Sequence, residues 1–471
     1  MKKFALVQLT PKDMKNQGSV NLGLEIVKDI ISKTEGWQVD LYKFGDTIED
    51  VNSYEIIGFS IFYFTQMLNV VPFLRQHGIE VYSKDRKKSP LIMAGGQGIQ
   101  NPEPLKKIVD LFCMGNGETV MEFLLENYQD IDKLCENKHL YIPYKKDTYE
   151  FYNHPVVISE PVIYNKNAMI ELTRGCKYRC KFCQYGWSNG KYREKDIELV
   201  KKQILDVKAR GIKNINFLSV NIGGYSKIIE LFDFCIDNGV RLLNTDMRIN
   251  EYNDELAKRL DMLKVRTLKV GVESFNECVR RDINKPISKE EFDAFIDRAL
   301  NNNISNLHFY LIYGLPTEVD YTPWFDYVRY LMDKRKTIER NIRYEFSVTN
   351  FEPAIHTAYK NENTIDFKKK HEFFREFLKV QEETEYIKQK AETKDYGNSR
   401  GRVGRKERNY NIGMWLLHGD ETVGDVLNEL KINGVGNGIS KNLYDKIKAI
   451  CDAHPEYYQI KDIGDTNENI W

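Results

Sequence analysis

Strand and helix patterns alternate along this chain in two long stretches, and alternation of that kind admits few folds. The first stretch begins with FALVQLT (4–10) and passes through an amphipathic helix near 20–33. It continues with WQVDLYKF (37–44), YEIIGFSIFY (54–63) and PLIMAGG (90–96). The runs near 56–62 and 91–94 are almost wholly apolar, as in parallel strands covered on both faces. This predicts a doubly wound, Rossmann-like sheet over 1–135, then a linker rich in Lys, Tyr, Asn and Pro at 136–165.

The second stretch starts at AMIELTRGC. It repeats through INFLSV (215–220), RLLNTDMRI (241–249), TLKVGVES (267–274), NLHFYLIYG (306–314) and IRYEFSVTN (342–350). Helical patterns at 195–209, 225–238, 253–263, 288–302 and 321–336 fill the gaps. Six strand–helix units predict a (β/α)6-type partial barrel over 166–365, with its chemistry at the carboxyl ends of the strands. A small, mostly helical carboxyl-terminal region, 366–471, completes an α/β architecture.

Composition narrows the function. Lys+Arg and Asp+Glu both number 69, so the chain has no general electrostatic pull on nucleic acid or membrane. No apolar run approaches the ~20 residues of a membrane span, and MKKFALVQLT reads as a first strand rather than a leader. A cytoplasmic, membrane-free protein is expected. Of the 8 cysteines, Cys113, Cys135, Cys235, Cys278 and Cys451 are scattered singly and read as small buried apolar residues.

The other three stand together. ELTRGCKYRCKFCQYGW places Cys176, Cys180 and Cys183 at C-x3-C-x2-C directly after a strand. Three thiolates on a cubane leave one iron without a protein ligand, an arrangement useful only when something else binds there. A zinc site normally takes four protein ligands, and an electron carrier would want a fourth cysteine; neither is in reach of this loop.

At these residues the chain resembles the radical S-adenosylmethionine (SAM) superfamily. The resemblance implies a 4Fe-4S cluster whose open iron takes the amino and carboxylate groups of SAM. One electron then splits SAM into methionine and a 5′-deoxyadenosyl radical, which abstracts hydrogen from an unactivated carbon. It also implies an electron donor of flavodoxin or ferredoxin type. Phe182 matches the aromatic position flanking the adenine, and plain core packing accounts for it equally well.

Other strand ends supply candidates. Asn244, Asp246 and Arg248 alternate, so they share one face of their strand. They would bind ribose hydroxyls and the methionyl carboxylate, or else form an interior ion-pair layer. GVES (271–274) is similar to the superfamily's ribose-contacting segment, which makes Glu273 and Ser274 candidates. Asn284 and Lys285 match an Asn-Lys pair, and GLPTE (314–318) matches the turn after the fifth strand. In NIGGY (221–225), Gly223 and Gly224 would let backbone approach the methionyl amino group.

AGGQGIQNPEPLKKIVDLFCMGNGE (94–118) is similar to the end of a cobalamin-binding-type domain that precedes the radical domain in one branch, so the resemblance spans roughly 1–360. Where the wider class has Asp-x-His-x-x-Gly, this chain has Asp13, Lys15 and Gly18, and a protonated lysine cannot ligate cobalt. The sheet then either carries cobalamin without a protein axial ligand or serves as a lid. Methylthio transfer is the weaker likeness, since Cys113 and Cys135 are too few for a second cluster.

These features predict a radical SAM enzyme, with a cobalamin-dependent methyltransferase as the leading form. Rearrangement, cyclisation or dehydrogenation without cobalamin is the alternative, and a non-catalytic iron–sulfur sensor stands for a different class. The substrate is left open between a small molecule and an anionic or nucleotide one. In NSRGRVGRKER (398–408), Arg402 and Arg405 mark either a solvated loop or a clamp for an anionic or nucleotide substrate.

Overall fold

The computed structural model describes residues 1–11, 21–87, 90–146, 148–151, 156–157, 159–363, 365–383, 400–436 and 438–460. The chain forms two compact units, Met1–His154 with Arg400–Asp462, and Pro155–Ser399 with Ile463–Trp471. The α/β class expected from the sequence is the one observed.

The first unit is built on a six-stranded sheet of β1 (Lys2–Pro11), β2 (Trp37–Phe44), β3 (Ile56–Ser60), β4 (Leu91–Gly95), β5 (Leu111–Cys113) and β6 (Leu140–Tyr141), in the order β2-β1-β3-β4-β5-β6. The first five strands run parallel, and β6 returns antiparallel from within the expected linker. Strand order reverses at β1, which puts the ligand-binding crevice of such a sheet at the carboxyl ends of β1 and β3.

Period-two alternation divides β1 between two cores. Phe4 and Leu6 pack with Leu24, Ile31, Val120 and Leu124 from the helices Leu22–Lys33 and Gly117–Asn127. Ala5, Val7 and Leu9 face the other way, against Ile412, Trp415, Val426 and Ile447. The helices that cover this second face are Val70–Gln76 and, from the end of the chain, Arg400–His418, Thr422–Glu429 and Lys441–Ala453. The carboxyl-terminal region is therefore divided. Its helix Phe367–Glu383 belongs to the second unit, and the remainder is one wall of the first. Asn69 fastens that wall. Its buried amide donates to Leu9 O (3.0 Å) and Val435 O (3.0 Å) and accepts from the Val435 N–H (2.6 Å).

The second unit opens with a hairpin, β7 (Val162–Tyr164) against β8 (Asn167–Glu171). Two short strands follow, β9 (Thr173–Arg174) and β10 (Arg193–Glu194). Then come β11 (Asn214–Leu218), β12 (Arg241–Leu242), β13 (Asp246–Met247), β14 (Thr267–Glu273), β15 (Asn306–Tyr313) and β16 (Arg343–Asn350). Besides the two-stranded β10-β9 sheet there are two larger ones, β12-β11-β8-β7 and β13-β14-β15-β16, with β8, β11 and β12 parallel in one and β13 to β16 parallel in the other.

The third expected strand, 241–249, is thus broken in two. Across the break the Asn244 side chain stands in for backbone, accepting from Phe217 N–H (3.1 Å) and donating to Phe217 O (2.7 Å). Thr245 Oγ1 donates to Thr267 O (2.6 Å) on the other side. Along β14, Leu268, Val270 and Val272 are buried, whereas Thr267, Lys269, Gly271 and Glu273 are half-exposed on the opposite face. Among the described residues no helix is long and apolar enough to cross a membrane.

Asn69→Ala tests the fastening of the carboxyl-terminal wall. It strands three buried backbone groups, so urea unfolding should show the first unit destabilised by about 3 kcal/mol.

Candidate active site

The cysteine loop leaves the sheet as a pinched excursion. Its base is the antiparallel bridge of β9 with β10, and Arg174 is locked there by a buried two-point ion pair to Glu171 (2.7 and 2.9 Å). Gly175 turns the chain with φ +71°, and a Cβ there would stand 2.6 Å from Lys191 O. No other residue fits that turn.

The far end of the loop is clamped by the segment after Asp282. Lys181 N–H donates to Ile283 O (3.0 Å), and Asn284 Nδ2 donates to Arg179 O (3.0 Å). Lys181 Nζ pairs with Asp282 (2.8 Å). Inside the loop the Trp187 indole N–H donates to Cys180 O (2.9 Å). Phe182 is half-buried beside Cys183, which precedes the short helix Gln184–Ser188.

The three thiols are close enough to feel one another. Burial pushes the Cys183 thiol up to about 11, and the charges of Cys180 and Cys176 add to the rise. Burial also raises Cys180, while Lys285 and Arg248 pull it back. Among the described residues no three His, Cys, Asp or Glu side chains converge on a single-ion site, as zinc would require. A cubane asks for something else, because each thiolate binds a different iron. The donor set fits a 4Fe-4S cluster.

Around the thiols stand several of the expected residues. The Arg248 guanidinium lies 3.7 Å from the Tyr178 ring centre, with Nη1 4.0 Å from Cys180 Sγ. Tyr178 OH donates to Glu251 Oε1 (2.8 Å), while Glu251 Oε2 is buried with no hydrogen-bond partner among the described residues. That carboxylate faces the NIGGY turn, where a Cβ on Gly223 would lie 3.1 Å from Oε2. Gly224 O accepts from Lys177 Nζ (2.5 Å) and Tyr192 OH (3.0 Å).

Glu273 ends β14 with φ +67°, where the pairing with β15 slips, and its carboxylate pairs with Lys285 Nζ at 2.7 Å. Left-handed backbone in a non-glycine residue stores strain of a kind that gathers at ligand sites. Asp246 is half-buried and has neither a hydrogen bond nor an ion pair among the described residues. Burial raises the neighbouring Tyr310 phenol, and the Asp246 charge adds to it.

Two candidates point elsewhere. Both polar atoms of Asn244 are spent on Phe217. Ser274 is fully buried, its hydroxyl accepting from Asn276 N–H (2.9 Å) and meeting Trp324 Nε1 at 3.3 Å. Arg402 and Arg405 fall within the helix Arg400–His418 rather than a loop; their side chains, like Lys15, lie outside the described residues.

Residues 170–323 match the radical SAM superfamily model, and residues 28–152 match the model for the N-terminal part of radical SAM proteins. The chain belongs to the radical SAM superfamily. An uncharacterized protein of Methanocaldococcus jannaschii is 26% identical over 76% of this chain and 80% of its own length. A putative methylthiotransferase of the same archaeon is 24% identical over 63% of this chain and 70% of its own.

Among solved structures, the radical SAM methyltransferase TsrM from Kitasatospora setae, with cobalamin and a 4Fe-4S cluster bound, aligns with TM-score 0.57 at 14% identity. The alignment covers 76% of this chain and 77% of that one. The cobalamin-dependent radical SAM enzyme OxsB with aqua-cobalamin aligns with TM-score 0.54 at 16% identity, over 73% of this chain and 53% of its own.

Sequence reasoning passed over part of this radical SAM barrel. His308 meets Ser347 Oγ (2.7 Å) and Glu345 (3.4 Å) and stacks on Tyr310 at 4.6 Å, giving a polar layer on β15 and β16. The signal was present in NLHFYLIY, where polar residues alternate with apolar ones.

Two substitutions probe the site. A Cβ on Gly271 would stand 2.6 Å from Glu273 Oε1 and 2.8 Å from Lys285 Nζ, both movable tips. Gly271→Ala should therefore keep the fold and the iron but raise the SAM dissociation constant about tenfold, read by equilibrium dialysis.

Glu318, in GLPTE, is buried, and burial lifts its carboxyl from 4.5 to about 7; Arg280 pulls the other way without prevailing. Between those values the folded state holds a proton that the unfolded state releases, so stability falls as pH rises through the window. Glu318→Gln should melt higher than the parent at pH 8 and match it near pH 4.5.

Proposed function

We propose that this radical SAM enzyme reductively cleaves SAM at a 4Fe-4S cluster on Cys176, Cys180 and Cys183, takes hydrogen from an unactivated carbon, and methylates it with the help of a corrinoid on its amino-terminal sheet. The observation that carries the reading is the clamped loop that presents three thiols at a strand end. A bound cluster supplies one-electron reduction of SAM.

The protein's own residues bind and orient. Arg248 is suited to the methionyl carboxylate and the unpaired Glu251 oxygen, beside the Gly223–Gly224 backbone, to the amino group. Asp246 and the Glu273–Lys285 pair are suited to ribose hydroxyls, and Phe182 to the adenine face. Each is a polar or aromatic group near the thiols, several of them buried, and enclosure strengthens the pull of such groups on a ligand. An electron donor of flavodoxin or ferredoxin type completes the system.

For the corrinoid, the supporting observation lies beyond the carboxyl end of β3. Phe62 and Tyr63 are 44% and 54% exposed, with ring centres 4.7 Å apart, on the edge where doubly wound sheets take ligands. The rings stand at 88° to each other, so one offers its face and the other its edge to a macrocycle. TsrM and OxsB, both cobalamin-dependent or cobalamin-bound, share the fold. Methylthio transfer, the activity in one relative's name, is less favoured. Cys113 is buried in β5 with its thiol pushed up to about 11 by burial, which leaves Cys135 alone.

Anaerobically reconstituted protein should hold about four irons per chain. Any one of Cys176→Ala, Cys180→Ala or Cys183→Ala should abolish both the visible absorption and SAM cleavage. Full stability with bound zinc and no iron uptake would defeat the proposal. Asp246→Ala should keep the iron and weaken SAM binding. Phe62→Ala with Tyr63→Ala should keep both, yet lose the hydroxocobalamin absorbance that co-elutes with the parent on gel filtration.

A further inference from the structure

The cysteine loop carries a charge pattern that its proposed ligands do not use. From Leu172 to Arg193 there are six basic residues, Arg174, Lys177, Arg179, Lys181, Lys191 and Arg193, and no acidic one, in a chain whose 69 basic and 69 acidic residues cancel. Arg174 is buried in its ion pair, but Arg179 and Lys191 are exposed with no carboxylate partner among the described residues.

The outer side of the loop forms an open groove of about 670 Å³, where Arg179, Lys181 and Trp187 meet Arg281 and Asp282. The Arg179 guanidinium lies 5.3 Å from the Trp187 ring centre, and the same indole donates through Nε1 to the carbonyl of Cys180. A half-exposed aromatic ring is thus one hydrogen bond from a cluster-bearing residue, in a groove with three basic side chains; Lys181 pairs with Asp282 and Arg281 with Glu277 (2.7 Å), which leaves Arg179 as the unpaired charge over the ring. Burial works to raise the Asp282 carboxyl, but hydrogen bonds from Lys181 and Tyr359 hold it below the usual range, so it stays a partner of the clamp.

We propose that this groove is the docking face for a small acidic one-electron-carrier protein, with Trp187 at the point of electron entry. The proposal rests on the cluster assignment above. One electron leaves the reduced carrier and enters the cluster, and no bond or proton changes hands in that step. Opposed charge speeds such encounters and weakens steeply with salt, which suits a carrier that must dock, discharge and leave. An anionic polymer such as RNA would need basic residues along a longer track. Here the groove holds only Arg179 and Lys181 of the loop and Arg281 of the facing helix, around one aromatic ring.

The probe is flavodoxin, with two readouts on the reconstituted enzyme. Arg179→Gln combined with Arg281→Gln should raise the dissociation constant for oxidised flavodoxin about tenfold at low salt and flatten its salt dependence, measured by flavin fluorescence. Flavodoxin-driven SAM cleavage should slow in step, whereas dithionite-driven cleavage and iron content should match the parent. Arg179→Lys should restore binding, since it keeps the charge. Trp187→Phe should keep affinity and slow cluster reduction by flavodoxin in stopped flow. An unchanged dissociation constant in the double variant would overturn the docking face. Absence of dithionite-driven cleavage in the parent would overturn the cluster assignment instead, and RNA binding that displaces flavodoxin and is lost in the double variant would replace the carrier with a nucleic acid.

Discussion

The site depends on a backbone clamp, the pairing of Lys181 N–H with Ile283 O and of Asn284 Nδ2 with Arg179 O. A loop of this length has no regular structure along most of its course, and three thiols on such a loop would scatter over many arrangements. Pinning the loop to the turn after the helix Glu277–Asp282 removes that freedom before any cofactor arrives. The same turn delivers Lys285 to Glu273 and puts its charge beside Cys180. One short segment therefore holds the thiols and completes the ion pair next to them, which is how a binding site is made ready in advance.

The broken third strand serves the same end by a different route. A continuous strand would occupy the space of Asn244 and Thr245 with ordinary backbone pairing. Here two side chains carry the hydrogen bonds to both neighbours, and the strand resumes at Asp246. The result is a wall that stays closed while the Asp246 side chain comes forward unpaired among the described residues and the buried Arg248 lies against Tyr178. The cost of exposing a half-buried carboxylate is tolerable where it meets a ligand.

The architecture was readable because it is written in periods. Strands alternate every two residues and helices every three to four, and both patterns survive in a single sequence. The same counting could have placed Ser274, which shares its parity with Leu268, Val270 and Val272, all buried, while Glu273 shares that of Lys269 and Gly271. A motif likeness outweighed the parity there. What periodicity cannot show is a contact such as Asn69 with Val435, because nothing local in either segment names its partner. Nor could it show that GRVGRKERNYNIGMWLL is helical: its charges crowd into the first half and its apolar residues into the second, so no stripe repeats.

That distant contact has a consequence for how the molecule is assembled. The amino-terminal sheet is made early in the chain, but three of the helices covering one of its faces come after the whole barrel sequence. Ala5, Val7, Leu9, Ile57 and Phe59 are covered only in part by the nearby helix Val70–Gln76, with Phe73 against Phe59, and share the rest of their core with residues 412–451. Until residues 400–460 are present, that face is a large apolar surface of the kind that drives association between chains. The barrel has no such debt, since its crossover helices alternate with its strands and cover them as they form. The second unit can therefore close locally while the first must wait, and the ordering of the cysteine loop, which lies wholly within the second, does not depend on the last helices.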